Sequence, residues 1–154
     1  MATSAHSSHP TFSYTDDIAA TWTDFLLLVG RVLLGWYFLV LGYGRLSDIP
    51  GSATYFSNLG MSQAEIWTGF AGCAGVVLGA ALILGIATRY AALASFVGML
   101  LATAIAHRYW TYPASAQLDQ YYIFLKNIAI MGGALYAFVV GAGRYSLDAM
   151  LAKS

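Results

Sequence analysis

Residues 22–48 read WTDFLLLVGRVLLGWYFLVLGYGRLSD, and from Trp22 to Tyr43 the run is almost unbroken in apolar character. As an α-helix, Trp22–Tyr43 is about 33 Å long, enough to cross a hydrocarbon core of about 30 Å. Arg31 falls close to its middle. An arginine at that depth costs about 2.5–3.5 kcal/mol on insertion scales, so it requires a partner, a water-filled cavity or a ligand.

The rest of the chain has the same character. Of 154 residues, 59% are hydrophobic and 9% charged, with a mean hydropathy of +0.66. Soluble domains carry about 25% charged residues. The chain therefore reads as an all-α integral membrane protein, a four-helix transmembrane bundle. Beyond the first span at about 22–43, three more are visible at about 66–86, 90–106 and 122–140. Spans two and three are joined only by Ala87-Thr88-Arg89, which makes them antiparallel neighbours. Residues 21–152 form one four-span domain. Residues 1–20 read as a polar, mobile N-terminal tail without the basic start and apolar core of a signal peptide. The longer links, 44–65 and 107–121, share one side of the membrane. Arg89, Arg144 and Lys153 flank spans on the face with both termini, against Arg45 and Arg108 on the long-loop face. The positive-inside rule then places both termini in the cytoplasm.

Several functions are excluded. Lys and Arg balance Asp and Glu at seven each, so no basic patch exists to hold a nucleic acid backbone. Cys73 is the sole cysteine, which rules out an internal disulfide, a C-x-x-C redox pair and a cysteine-ligated iron–sulfur cluster in this chain. His6 and His9 sit on the tail and read as loose polar residues, so no metal site is expected. No phosphate loop or nucleophile–base pair is present, which leaves hydrolase and nucleotide-dependent readings without support.

The candidate chemistry lies in a few polar residues at membrane depth. Helical side chains lean toward the N-terminus, so Arg31 leans toward Asp24 on the same face. The rise between them is about 10.5 Å, too far for an unaided salt bridge. Arg31 either snorkels to carbonyls and water or holds an anion, quinone or headgroup. Lys126 and Asn127 interrupt span four about one turn inside it. Lys126 shares a face with Tyr122 and is shallow enough to snorkel, while Asn127 bonds across the bundle. His107 ends span three, and imidazole is the side chain whose charge changes near neutral pH. Together His107, Tyr122, Lys126 and Asn127 are expected to converge near the long-loop face. Tyr43, Arg45, Glu65 and Trp67 reach the same level, and these residues serve equally as the aromatic belt of a small bundle or as a quinone pocket. Gly75 and Gly79 form a G-x-x-x-G that lets helices pack closely. Near the C-terminus, Ser146 is placed to cap a short helix with Asp148 in its first turn.

The ordered set of residues from about Phe25 to Leu151 resembles the DoxX family of small four-span membrane proteins. It comprises Arg31, Gly35 and Phe38, then Gly42 with Arg45-Leu46, then Phe56 with Leu59-Gly60. Gly79, Gly85 and Thr88-Arg89 follow, then His107, then the ending Gly141-Ala142-Gly143-Arg144-Tyr145-Ser146-Leu147-Asp148. The resemblance implies a bundle in a bacterial-type plasma membrane and an oxidoreductase role; the related DoxD proteins are counted as subunits of a thiosulfate:quinone oxidoreductase. Many relatives carry a glutamate where this chain has Gly75, and that position is expected at the depth of Arg31. Arg31 must then use Asp24 through water, a bound anion, or an acid on another subunit.

The leading expectation is a membrane subunit of a quinone-linked oxidoreductase system. Arg31 and Lys126 would supply positive charge, and His107 with Tyr122 or Asn127 would meet the headgroup. The chain has no recognisable haem, flavin or iron–sulfur site, so electrons would come from another subunit and the chain would not be catalytic alone. Two rivals stand beside it: a non-catalytic membrane anchor or assembly subunit, and a small-molecule or lipid carrier. A homo-oligomer is the other form of partnership this sequence allows.

Overall fold

The computed structural model describes residues 13–152. His6 and His9 lie outside them. Six α-helices follow in order: α1 (Ser13–Ser47), α2 (Ile49–Asn58), α3 (Ala64–Leu84), α4 (Thr88–Ala106), α5 (Ala114–Val140) and α6 (Leu147–Leu151). A short 3-10 turn, Tyr109–Thr111, lies between α4 and α5. Helices α1, α3, α4 and α5 are long and apolar enough to cross a membrane. Their outward side chains, Leu33, Trp36, Val77, Tyr90 and Val139 among them, are strongly exposed and apolar, as a lipid-facing surface requires.

The span boundaries shift outward from those expected. Helix α1 begins at Ser13, inside the stretch assigned to the tail, and runs for 35 residues. Helix α5 begins at Ala114 rather than near Tyr122. The first long loop contains α2, which hydropathy alone does not reveal. Its start is chemical: Asp48 Oδ1 accepts from the Gly51 amide at 2.9 Å, and Pro50 occupies the first turn.

The bundle is built as two helix pairs. In the first, α1 and α3 pack backbone to backbone through glycine. A Cβ on Gly79 would stand 2.5 Å from the Leu39 nitrogen and 2.7 Å from the Gly35 oxygen. A Cβ on Gly75 would stand 2.9 Å from the Gly42 Cα. In the second pair, α4 lies along α5. A small core of Phe38, Leu82, Ala91, Ala92, Met99 and Met131 joins the pairs. The contact between α1 and α5 themselves is slight.

These contacts fix depth. Gly42 lies against Gly72 and Val76, Gly35 against Gly79 and Ile83, and Arg31 against Gly85. Helix α3 is 21 residues long, about 32 Å, which matches the bilayer. Its middle therefore lies beside residues 38–42 of α1, and Arg31 lies beside its terminus-face end. The expectation that Arg31 sits at mid-membrane is corrected: α1 overhangs α3, so the midpoint of the helix is not the midpoint of the membrane. Gly75 is not at the depth of Arg31 either. It is ten residues, about 15 Å, from Gly85 along α3, so a carboxylate there would not reach the guanidinium.

Candidate functional site

At the terminus face, Arg31 is 4% exposed and spends its charge inside the chain. Nη1 donates to the carbonyl of Ala142 at 2.7 Å and Nη2 to that of Tyr145 at 2.6 Å. Gly85 makes room: a Cβ there would overlap Nη1, and its φ of 71° is one that glycine adopts without cost. Asp24 does not meet Arg31 directly. Its Oδ1 accepts from the Arg144 amide at 3.2 Å, so both polar residues of α1 grip the same C-terminal loop.

Asp148 completes this clasp. Its carboxylate oxygens accept from the Ala87 and Thr88 amides at 2.7 and 2.9 Å, capping the free N–H groups where α4 begins. The Asp148 amide in turn donates to the Gly85 carbonyl at 2.9 Å. Partial burial pushes the Asp148 carboxyl up, but the Thr88 and Ala87 amides, with the charge of Arg31, outweigh it and hold the group below its ordinary value. Ser146 caps α6 as expected, accepting from the Ala149 amide at 3.1 Å.

The long-loop face carries a different arrangement. His107 Nδ1 lies 2.9 Å from Gln120 Oε1. That oxygen only accepts, so Nδ1 carries the proton and Nε2 is left as an acceptor. The Tyr55 hydroxyl, 3.4 Å away on α2, donates to it in a long hydrogen bond. Burial raises the Tyr55 hydroxyl above its ordinary value; Arg45 opposes that and Tyr112 adds to it. Tyr112 itself donates to the Ala106 carbonyl at 2.8 Å, fixing the loop beneath His107.

Of the four residues expected to converge here, Asn127 comes within about one helical turn of His107 without a bond to it. Asn127 is buried and donates to Thr103 Oγ1 at 2.9 Å, one helical turn before His107. Tyr122 is exposed, with its ring beside that of Tyr121. Lys126 points the other way, toward α1, with Nζ 5.7 Å from the centre of the Tyr37 ring. It does not snorkel to the long-loop face. Lys126 is more than three turns from the start of α5, but its neighbour Asn127 meets Thr103 about one turn from the end of α4, so the added turns of α5 extend past α4. Tyr37 lies between Phe38, which packs on Gly75, and Gly35, which packs on Gly79, so the lysine reaches the level of mid-α3. Tyr55 and Gln120 were absent from the sequence reading. The signal for Tyr55 was the Asp48-Ile49-Pro50 helix start, which brings the tyrosine back over the bundle. Among the described residues no cluster of three metal-ligating side chains exists.

The family model described as DoxX matches residues 26–108, more than half of the chain. The chain belongs to the DoxX family. Two relatives come from Escherichia coli (strain K12). Inner membrane protein YphA is 30% identical over 124 residues, covering 80% of this chain and 88% of its own length. Inner membrane protein YqjF is 29% identical over 134 residues, covering 84% and 95%. No solved structure matches the chain. The DoxX match includes Arg31, Tyr55, Gly85 and His107, whereas α5 and the C-terminal half of the clasp lie beyond it. This DoxX protein thus carries two polar centres, the clasp at the terminus face and the Tyr55–His107–Gln120 group at the long-loop face.

Proposed function

We propose that this DoxX protein is the membrane subunit of a quinone-linked oxidoreductase system, with the quinone headgroup held at the Tyr55–His107 pair. The observation that supports the reading is the chain Tyr55–His107–Gln120, which links α2, the end of α4 and α5. With His107 Nδ1 donating to Gln120, the Tyr55 hydroxyl is the donor of this group that can meet a carbonyl of a quinone headgroup. When bound, a quinone takes up two electrons and two protons, and the electrons come from a redox cofactor on a partner protein. Tyr55 would orient one carbonyl by turning its single hydroxyl proton from His107 Nε2 to that oxygen. Tyr55 would give its proton to the reduced headgroup, and His107, held by Gln120 at Nδ1, would take up a proton from water at Nε2 and pass it to the Tyr55 oxygen. Arg45 favours negative charge forming at Tyr55. Arg31 has no part in this reading, because its donors Nη1 and Nη2 are taken by carbonyls.

The test is equilibrium binding of a short-chain benzoquinone to the purified full chain in lipid nanodiscs. Saturable binding is expected, weakened about tenfold or more by Tyr55→Phe and by His107→Ala, each of which removes one hydrogen-bonding group. Unsaturable partitioning into lipid, equal for all three proteins, would remove the quinone reading.

A further inference from the structure

Lys126 is a charge inside the apolar span of α5. Its ammonium rests over the Tyr37 ring at 5.7 Å, and no carboxylate of the described residues pairs with it. A cation–π contact is worth about 0.5–2 kcal/mol, whereas a lysine at mid-bilayer costs about 2.5–3.5 kcal/mol. The ring alone leaves a deficit that a counter-charge would remove.

The surface around Lys126 is shaped for a helix. Ala129 and Gly133 share its face of α5, one and two turns further on, and all three are exposed. A Cβ on Gly133 would find only Leu34 Cδ1, at 3.9 Å, and one on Gly132 would find nothing. Helix α1 therefore does not fill this side of α5. Within the same protein, glycines at comparable spacing bring α1 and α3 into backbone contact.

We infer that the exposed face of α5 at Lys126, beside α1, docks a transmembrane helix of another protein that carries a carboxylate near its midpoint. Charge complementarity selects this occupant. A second copy of this chain does not supply the acid: Asp48, Glu65 and Asp119 lie toward the long-loop face, and Asp16, Asp17, Asp24 and Asp148 lie toward the terminus face. The inference deepens the subunit reading and rests on it for the existence of a partner. It does not depend on the quinone site, since Tyr55 and His107 lie elsewhere.

The test uses the full chain in lipid vesicles, labelled with a fluorescent donor at its sole cysteine, Cys73, which is exposed on α3. The probe is a Leu–Ala host helix of about 20 residues bearing an acceptor dye and one central Glu. Saturable energy transfer is expected with the Glu helix, about tenfold weaker with Gln in its place, a loss that one charge pair accounts for. Lys126→Met should abolish the preference for Glu, Lys126→Arg should retain it, and Gly133→Leu should block that face with the charge intact. Equal association of Glu, Gln and Leu helices, or an unchanged preference in Lys126→Met, would overturn the inference. So would saturable binding of a spin-labelled stearate that depends on Lys126 while the Glu helix does not associate. Quinone binding by the same Lys126→Met sample reports separately on the Tyr55–His107 site.

Discussion

Nη1 of Arg31 lies 2.7 Å from the carbonyl oxygen of Ala142, so the first helix holds the last loop of the chain. The neighbouring bond to Tyr145 makes the grip two-pronged. A planar guanidinium serves two carbonyls at once; an ammonium is a point charge and cannot reproduce that fork. Charge-assisted hydrogen bonds are worth about 1.5–3 kcal/mol each. Arg31→Met should therefore cost about 2–4 kcal/mol and expose residues 141–152 to protease, and Arg31→Lys should recover less than half of the lost melting temperature. A lysine variant as stable as the parent would show that charge alone suffices.

Asp148 makes the clasp pH-dependent. Its carboxyl is held below its unfolded value, so the folded state binds fewer protons there. The stabilisation is complete above the ordinary carboxylate pKa of about 3.9 and is lost as pH falls through the lower, folded value. Thermal melting in detergent should show this acid loss for the parent and a flatter profile for Asp148→Asn. At neutral pH that variant should be about 1 kcal/mol less stable, the usual worth of a cap at a helix start.

Gly79 tests the α1–α3 seam. A methyl group at this position meets the Leu39 nitrogen and the Gly35 oxygen, both backbone atoms that cannot rotate away. Gly79→Ala should cost about 1–3 kcal/mol by forcing the helices apart. Gly98→Ala, where a Cβ meets nothing within 4 Å, should be neutral or slightly stabilising. Comparable losses at both sites in a denaturation series would refute close packing as the cause.

Ala87 is a strained residue in a tight connection. Its φ of 46° lies in the left-handed region, which costs an alanine about 1–2 kcal/mol. Asp148 holds it there through the Ala87 amide. Ala87→Gly should raise stability by about 1 kcal/mol, less the added flexibility of the unfolded chain. Combined with Asp148→Asn, the gain should shrink, because the turn is then no longer pinned.

The four spans and their order were legible because length and hydropathy decide them. The capped helix after Ser146 was legible from local chemistry alone. The depth of Arg31 was not, because it depends on how far α1 slides along α3. Glycine contacts at Gly35, Gly42 and Gly79 set that slide, and a sequence read one helix at a time cannot align them. The direction of Lys126 was not legible either, because its reach toward Tyr37 depends on how α5 sits against α1. Tyr55 escaped notice because a ten-residue helix in a loop has too few apolar positions to announce which way it faces.

The reach of Arg31 across the whole chain also orders its biogenesis. Chains enter the membrane from the N-terminus, so α1 and α3 meet before α5 is made. Throughout that time the guanidinium lacks Ala142 and Tyr145, which have not yet been synthesised. A protein cut short before residue 142 keeps an arginine without its acceptors and an α4 without its Asp148 cap. Residues 142–148 thus act as a check on the bundle: only a copy that carries them has the C-terminal end of α3 and the N-terminal end of α4 closed.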